Sequence, residues 1–509
     1  MELAARLTSL SSNIISNGNI YYKYSYILEL RKYNQRCCSL KIISYANDFL
    51  WGCPLLFLLM GTHLFFTLKL HIPQRHIGKA LRLSVTSEKK GEGSPSQNLS
   101  AFGALATTLA ATLGTGNIIG VSTAVALGGP GAVFWCWLTG LLGMATSYAE
   151  CYLSVLYKEK NTEGFSVGGP MYVLKNGLHS KSLAKFYAFC TICAAFGVGC
   201  TTQANSLTQT TSSTWGLSPH LVGIAAAFVT GMVILGGIRS IGNLCTKIVP
   251  LLGVLYIIGC FILLILNGDF LFQAVLIILE HALLPRAVLG GIAGYSLKQA
   301  ARYGIARGLF TNEAGIGTSA IPAAASDTHI PSRQAFVSMT AVFWDTVVMC
   351  LLSGLVIVTN MLKHPDSLLH VNETGLADAA FAYLPFGGRQ FLSFSLAAFA
   401  ITTLIGWSYF GEKAFAYLWG EKNIGIYKLL YIVMIYIGAV IPLNVVWECT
   451  DFINAMMIFP NVLSLFLLQN KITIPHPERR NINSPLRCGR SFLNRKTSIT
   501  PCRRRNQGS

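Results

Sequence analysis

Ala111-Thr112-Leu113-Gly114-Thr115-Gly116-Asn117-Ile118 lies within an otherwise apolar run of residues 101–127. A run of this length matches the roughly 20 apolar residues that a helix needs to cross hydrocarbon. Gly114, Thr115, Gly116 and Asn117 stand at its middle, and Gly120 follows Gly116 by about one turn. At that depth a polar, glycine-rich stretch breaks the helix and frees N–H and C=O groups that lipid cannot satisfy. Two readings fit. The freed groups form a binding site, as in carriers built on discontinuous helices, or Gly116 and Gly120 form a small-residue face for helix packing. Packing alone does not call for Thr115 and Asn117 together, which favours the site.

The rest of the chain supports a membrane setting. Of 509 residues, 52% are hydrophobic and 12% charged, about half the charged share of a soluble domain. Eleven spans are expected, at about 51–69, 101–127, 131–157, 183–209, 218–236, 246–267, 287–306, 335–358, 390–410, 425–443 and 446–468. The net charge of +18 would suggest nucleic acid in a soluble protein, but here the basic residues sort by side. Arg75, Lys79, Arg82, Lys158, Lys175, Arg239, Lys247, Arg302, Arg307, Arg333, Lys413 and Lys422 fall in loops of one side, with little beyond Arg286, Lys363 and Arg389 in the other. This positive-inside pattern predicts a cytoplasmic C-terminus and no nucleic-acid partner. Arg6, Lys23, Arg31, Lys32, Arg36 and Lys41 depart from the pattern, since eleven spans put them outside. Residues 1–50 read as an extension without a secretory signal, residues 51–470 as the membrane domain, and 471–509 as a basic, disordered tail.

Other interruptions and buried polar groups mark the spans. Gly290-Gly291-Ile292-Ala293-Gly294 breaks the seventh expected span, five spans after the first break. Spans two to six and seven to eleven then read as two five-helix inverted repeats, preceded by one extra span, with a site near the midplane. Asp345 lies in an apolar span, where a carboxylate marks a functional site or a structural ion pair. Glu150 invites the same reading with no evident partner, while Glu313, Arg302 and Arg307 read as a gate or loop-ordering cluster toward the cytoplasm. Fourteen cysteines lie mostly alone in apolar runs, and Cys190-x-x-Cys193 has no second pair to complete a zinc set.

At these residues the chain resembles the alanine/glycine:cation symporter family, sodium-coupled carriers of small amino acids with a leucine-transporter-type fold. The resemblance covers residues 51–470 and rests on the stretch quoted above, on Gly128 to Trp137, on Arg302-Tyr303-Gly304 through Gly308 to Gly315, and on Thr402 to Tyr409. It departs at Cys136, Cys200 and Thr246, where the family pattern has Met, Asn and Glu.

The resemblance implies roles. Thr115 and Gly116 would hold a substrate carboxylate with amides at a half-helix N-terminus. Carbonyls near Gly290, Gly291 and Gly294 would face the ammonium, Trp407 would close the side-chain pocket, and Gln203 would line it. Sodium would take oxygens near Ala110 and Leu113 and from Thr402 and Thr403, although adjacent threonines in a helix also bond back to their own carbonyls. Asp345 with Asn117 would complete a second cation site or relay a proton. The expectation is an all-α secondary symporter of the plasma membrane that imports alanine or glycine with Na+ and uses no other cofactor. A proton-coupled carrier is the alternative. A membrane enzyme would call for paired ligands inside the spans, and the chain lacks a phosphate-binding GxxxxGK[ST] run.

Overall fold

The computed structural model describes residues 45–47, 49–52, 54–86, 98–283, 297–365, 375–385, 387–441 and 444–474. Helices overlap the expected spans, the seventh of which is described only from Leu297 on: α1 Pro54–Lys69, α2 Ile77–Val85, α3 Ala101–Thr112, α4 Ile119–Gly128, α5 Gly131–Leu156, α6 Lys181–Trp215, α7 Pro219–Leu235, α8 Gly237–Leu266, α9 Gly268–Leu283, α10 Leu297–Asn312, α11 Ala320–Ala324, α12 Pro331–Lys363, α13 Leu376–Phe381, α14 Gly388–Trp419, α15 Ile424–Val440 and α16 Asn444–Leu467. Among the described residues seven helices are long and apolar enough to cross a membrane, or nine when each bent pair counts as one. Several elements were not foreseen, two of them helices of nine residues or more. The amphipathic α2 follows α1 after a 63° bend, and α9 is a separate 16-residue helix before α10.

Local sequence sets the ends. The Ser100 hydroxyl caps α3 by accepting from the Gly103 amide at 2.9 Å. Pro219 and Pro331 open α7 and α12 at positions where a missing N–H costs nothing. Between α5 and α6 a two-residue antiparallel hairpin pairs Glu159–Lys160 with Ser166–Val167.

Sidedness is written in exposure. On α8 the exposed side chains include Leu251, Val254, Leu255, Ile258, Phe261, Ile262 and Ile265, spaced by three and four. One apolar helix face left uncovered is a liability in water and the normal state in lipid. The opposite faces converge: α5 packs on α10 and α12, while α14 lies between α6 and α3. Gly304 and Gly308 of α10 make the first contact close, because a Cβ at either would meet the backbone of Ala132 or Cys136.

Two long helices contain π turns, at Gly197–Thr201 in α6 and Phe343–Cys350 in α12. A π turn inserts one residue and leaves carbonyls without their usual i+4 partners. In α6 the side chains take them up: Thr202 Oγ1 lies 2.7 Å from the Gly197 carbonyl, and Gln203 Nε2 donates to the Val198 carbonyl at 3.4 Å.

Candidate functional site

The first break is where the sequence puts it. α3 ends at Thr112, Gly114 is extended, Thr115–Asn117 form one 3-10 turn, and α4 restarts 61° away. Asn117 holds the turn by accepting the Gly114 amide on Oδ1 at 3.1 Å. Glycine is needed for close approach: a Cβ at Gly114 would stand 3.0 Å from Thr403 Oγ1 and 3.6 Å from Gln203 Oε1, and one at Gly116 would stand 3.3 Å from Thr311 Oγ1.

Three helices converge on this turn. From α14, Thr403 Oγ1 donates to the Leu113 carbonyl at 3.3 Å. From α6, Gln203 Oε1 accepts from Thr115 Oγ1 at 3.3 Å. From the π turn of α12, Asp345 Oδ1 accepts from Asn117 Nδ2 at 2.7 Å, and Asp345 Oδ2 accepts from Thr346 Oγ1 at 2.7 Å. The structure therefore joins Leu113 with Thr403, Thr115 with Gln203, and Asn117 with Asp345. Ala110 is buried one turn earlier. Thr402 takes the other course left open for it, donating to its own helix at the Phe399 carbonyl, 2.9 Å away. Gly290, Gly291 and Gly294 lie outside the described residues.

A further break, unforeseen as such, follows α10. Glu313, Gly315 and Gly317 all have positive φ, at 53°, 94° and 94°, and α11 is only one turn long. Such φ values suit glycine and are strained for Glu313. The signal in the sequence was Asn312-Glu313-Ala314-Gly315-Ile316-Gly317, polar and glycine-paired like the first break. Glu313 is not in an exposed cytoplasmic cluster: it is 5% exposed and accepts from Thr318 Oγ1 at 2.5 Å. Arg302 is exposed, and among the described residues no ion pair joins Glu313 to Arg302 or Arg307. Tyr187 of α6 donates to the Ile316 carbonyl at 2.8 Å, pinning the new break.

Trp407 lies beside the break at Glu313. It is 1% exposed, and its ring packs on Phe410 at 5.4 Å. Gly199, in the π turn of α6, lies flat against it, since a Cβ there would overlap the Trp407 Cβ. Its indole N–H neighbours the Glu313 carboxyl without closing a hydrogen bond of ordinary geometry.

Cys200 and Thr246 are accommodated without polar rearrangement. Cys200 is buried with Sγ 3.7 Å from the Tyr431 carbonyl, and Thr246 Oγ1 bonds back to the Asn243 carbonyl at 3.0 Å.

The arrangement gathers backbone, hydroxyl, amide and carboxyl oxygens around a helix break, inside apolar helices. That suits a small solute carrying both charges, together with a hard monovalent cation. Comparison with known proteins gives the family. Residues 37–476 match the sodium:alanine symporter family. The sodium/alanine symporter AgcS of Methanococcus maripaludis is 40% identical over 439 residues, covering 85% of this chain and 95% of the relative. An uncharacterized transporter of Haemophilus influenzae is 40% identical over 433 residues, covering 85% and 94%. In fold, the chain is similar to MhsT in its crystal structure with L-phenylalanine, with TM-score 0.50 and 15% identity over 73% of this chain and 90% of that one. The chain thus belongs to the sodium:alanine symporter family and is a multi-pass membrane protein of the cation-coupled amino acid symporter class, not an enzyme.

Proposed function

We propose that the protein imports small neutral amino acids, alanine and glycine, together with Na+, by alternating access across the plasma membrane with its C-terminus in the cytoplasm. The observation that carries this reading is the convergence of Thr403 on the Leu113 carbonyl beside the Thr115–Gly116 turn. The substrate carboxylate takes the amides of Thr115 and Gly116, which start the second half of the broken helix and carry partial positive charge. Gln203, already bonded to Thr115, orients that turn and lines the pocket. Trp407, its indole packed against Gly199 and Phe410, closes the side-chain end of the pocket in this reading. Carbonyls near Gly290, Gly291 and Gly294 complete the ammonium side of this proposal.

Sodium takes the Leu113 carbonyl and Thr403 hydroxyl, with the Ala110 carbonyl one turn away. Asp345 and Asn117 supply the second cation position, where a buried carboxylate gains most from a bound positive charge. Filling these positions fixes the turn that holds the carboxylate, so ion and solute bind better together than apart. A binding assay on purified protein tests the coupling. Labelled alanine should bind in sodium chloride and lose at least about tenfold in affinity in choline chloride, about 1.4 kcal/mol. Equal binding in the two salts refutes sodium coupling.

A further inference from the structure

Glu150 has no part in the site just described. It lies on α5 behind the second break and is 2% exposed. Its Oε1 accepts two N–H groups, the Gly315 amide at 2.8 Å and Asn461 Nδ2 at 2.6 Å. Asn461 Nδ2 also reaches the Gly315 carbonyl at 2.9 Å, so one carboxyl ties α5, the break and α16 together. Glu150 Oε2 has no hydrogen-bond partner.

The neighbourhood is polar, and among the described residues no Lys or Arg pairs with Glu150. The titratable groups facing Glu150 are Cys151 on its own helix, Tyr187 from α6 and Glu313 from the break. From α1 comes His63, whose Cε1 would lie 3.9 Å from a Gly315 Cβ. His63 is fully buried, bonded through Nδ1 to Thr146 Oγ1 at 2.8 Å, and its Nε2 has no partner. Asn312 Nδ2 is also unpartnered, and it and His63 Nε2 lie 3.7 and 3.6 Å from where a Gly143 Cβ would stand. Among the described residues, carboxylates that pair with Lys or Arg include Glu159, Asp378 and Glu412, and Glu150 is not one of them. An ionised Glu150 would leave a bare anionic oxygen in this interior. A neutral acid leaves only an O–H short of an acceptor, which costs far less.

We propose that Glu150 is a proton-binding site built into the second break. The proton sits on Oε2 and leaves Oε1 as the acceptor that latches Gly315 and Asn461. When it dissociates, the Oε2–H bond breaks, the proton passes to water, and the resulting carboxylate destabilises the packed seam until water reaches it. This deepens the symporter reading above and rests on it, because the latch holds the segment that alternating access has to move.

The test uses the full chain in proteoliposomes under a fixed inward sodium gradient, with equal pH on both sides, scanned from about pH 5.5 to about pH 8.5. Wild-type uptake of labelled alanine is expected to fall at least about threefold as pH rises. Glu150→Gln keeps the Oε1 acceptor and replaces O–H by N–H. It should hold acid-side uptake within about twofold and lose the fall. A flat wild-type profile, a variant profile like that of wild type, or a folded variant without uptake overturns the proposal. If Glu150→Gln does not fold, Asn461→Leu decides. It removes one donor that favours the carboxylate, so the midpoint of the fall should move to higher pH, and an unmoved midpoint overturns the assignment. Active uptake with a flat profile rejects the Glu150 proposal alone, whereas wild-type protein with no sodium-dependent uptake rejects the symporter reading beneath it.

Discussion

The Thr403 hydroxyl donates to the Leu113 carbonyl at 3.3 Å, joining residues 290 positions apart in the chain. Its neighbour Thr402 spends its hydroxyl on the Phe399 carbonyl of its own helix. Adjacent threonines thus differ in partner. Thr403→Ala should weaken sodium-dependent alanine binding by about tenfold or more, while Thr403→Ser stays within about threefold. Thr402→Ala should change sodium dependence by less than about twofold. Sodium titrations of alanine binding check all three, and an equal loss in the two alanine variants contradicts the assignment.

Asp345 separates charge from shape. Asp345→Asn preserves volume but removes the charge beside Asn117, so the protein should stay folded while sodium dependence weakens by at least about tenfold. Asp345→Ala removes the side-chain acceptor of the Thr346 hydroxyl and one acceptor of Asn117 Nδ2, which keeps the backbone carbonyl of position 345 at 3.0 Å, at a cost of about 1–3 kcal/mol. It should lower the melting temperature in detergent as well. An Asp345→Asn protein with wild-type sodium dependence excludes the carboxylate from the ion site.

Gly199 tests the wall of the pocket. A Cβ at this position has no room against Trp407, and overpacking of this kind costs about 1–3 kcal/mol. Gly199→Ala should lower thermal stability and displace the indole, reducing alanine affinity more than sodium affinity. Unchanged alanine affinity removes Trp407 from the substrate pocket.

Outside the membrane, Glu159 of the hairpin pairs with Lys175 at 2.9 Å and accepts from Asn176 at 2.9 Å. Burial raises its carboxyl, but the hydrogen bonds from Lys175 and Asn176 outweigh this and hold it below the ordinary carboxylate value. A carboxyl held low stabilises the fold above its unfolded value and loses that contribution as pH falls through the folded one. The pair is part-exposed, so the effect stays below about 1 kcal/mol. Glu159→Gln should lower stability slightly near neutral pH and converge with wild type in acid. A constant gap across the pH range rules out the ion pair as its source.

The first break was legible because glycine and asparagine have no cheap place in the middle of an apolar span, so Gly114 to Asn117 announced themselves. Hydropathy also located most of the long helices, whereas the exposed stripe of α8 emerged only from the structure. The break at Glu313–Gly317 was harder to read. Glu313, Gly315 and Gly317 follow the basic residues Arg302 and Arg307, and so resembled a loop at the cytoplasmic surface; only packing shows Glu313 enclosed beside Trp407. The π turns at Gly197–Thr201 and Phe343–Cys350 leave no mark in composition, because one inserted residue hardly changes an apolar pattern. Yet one of them carries Asp345 to Asn117, and the other brings Gly199 against Trp407. The Asn461 link to Glu150 spans 311 positions and has no local signature.

Alanine uptake into proteoliposomes holding the purified full chain tests sodium-coupled import most directly. An inward sodium gradient should drive labelled alanine above its external concentration, and collapse of that gradient should release it. Equal accumulation in choline, or accumulation driven by a proton gradient with sodium absent, would contradict the account.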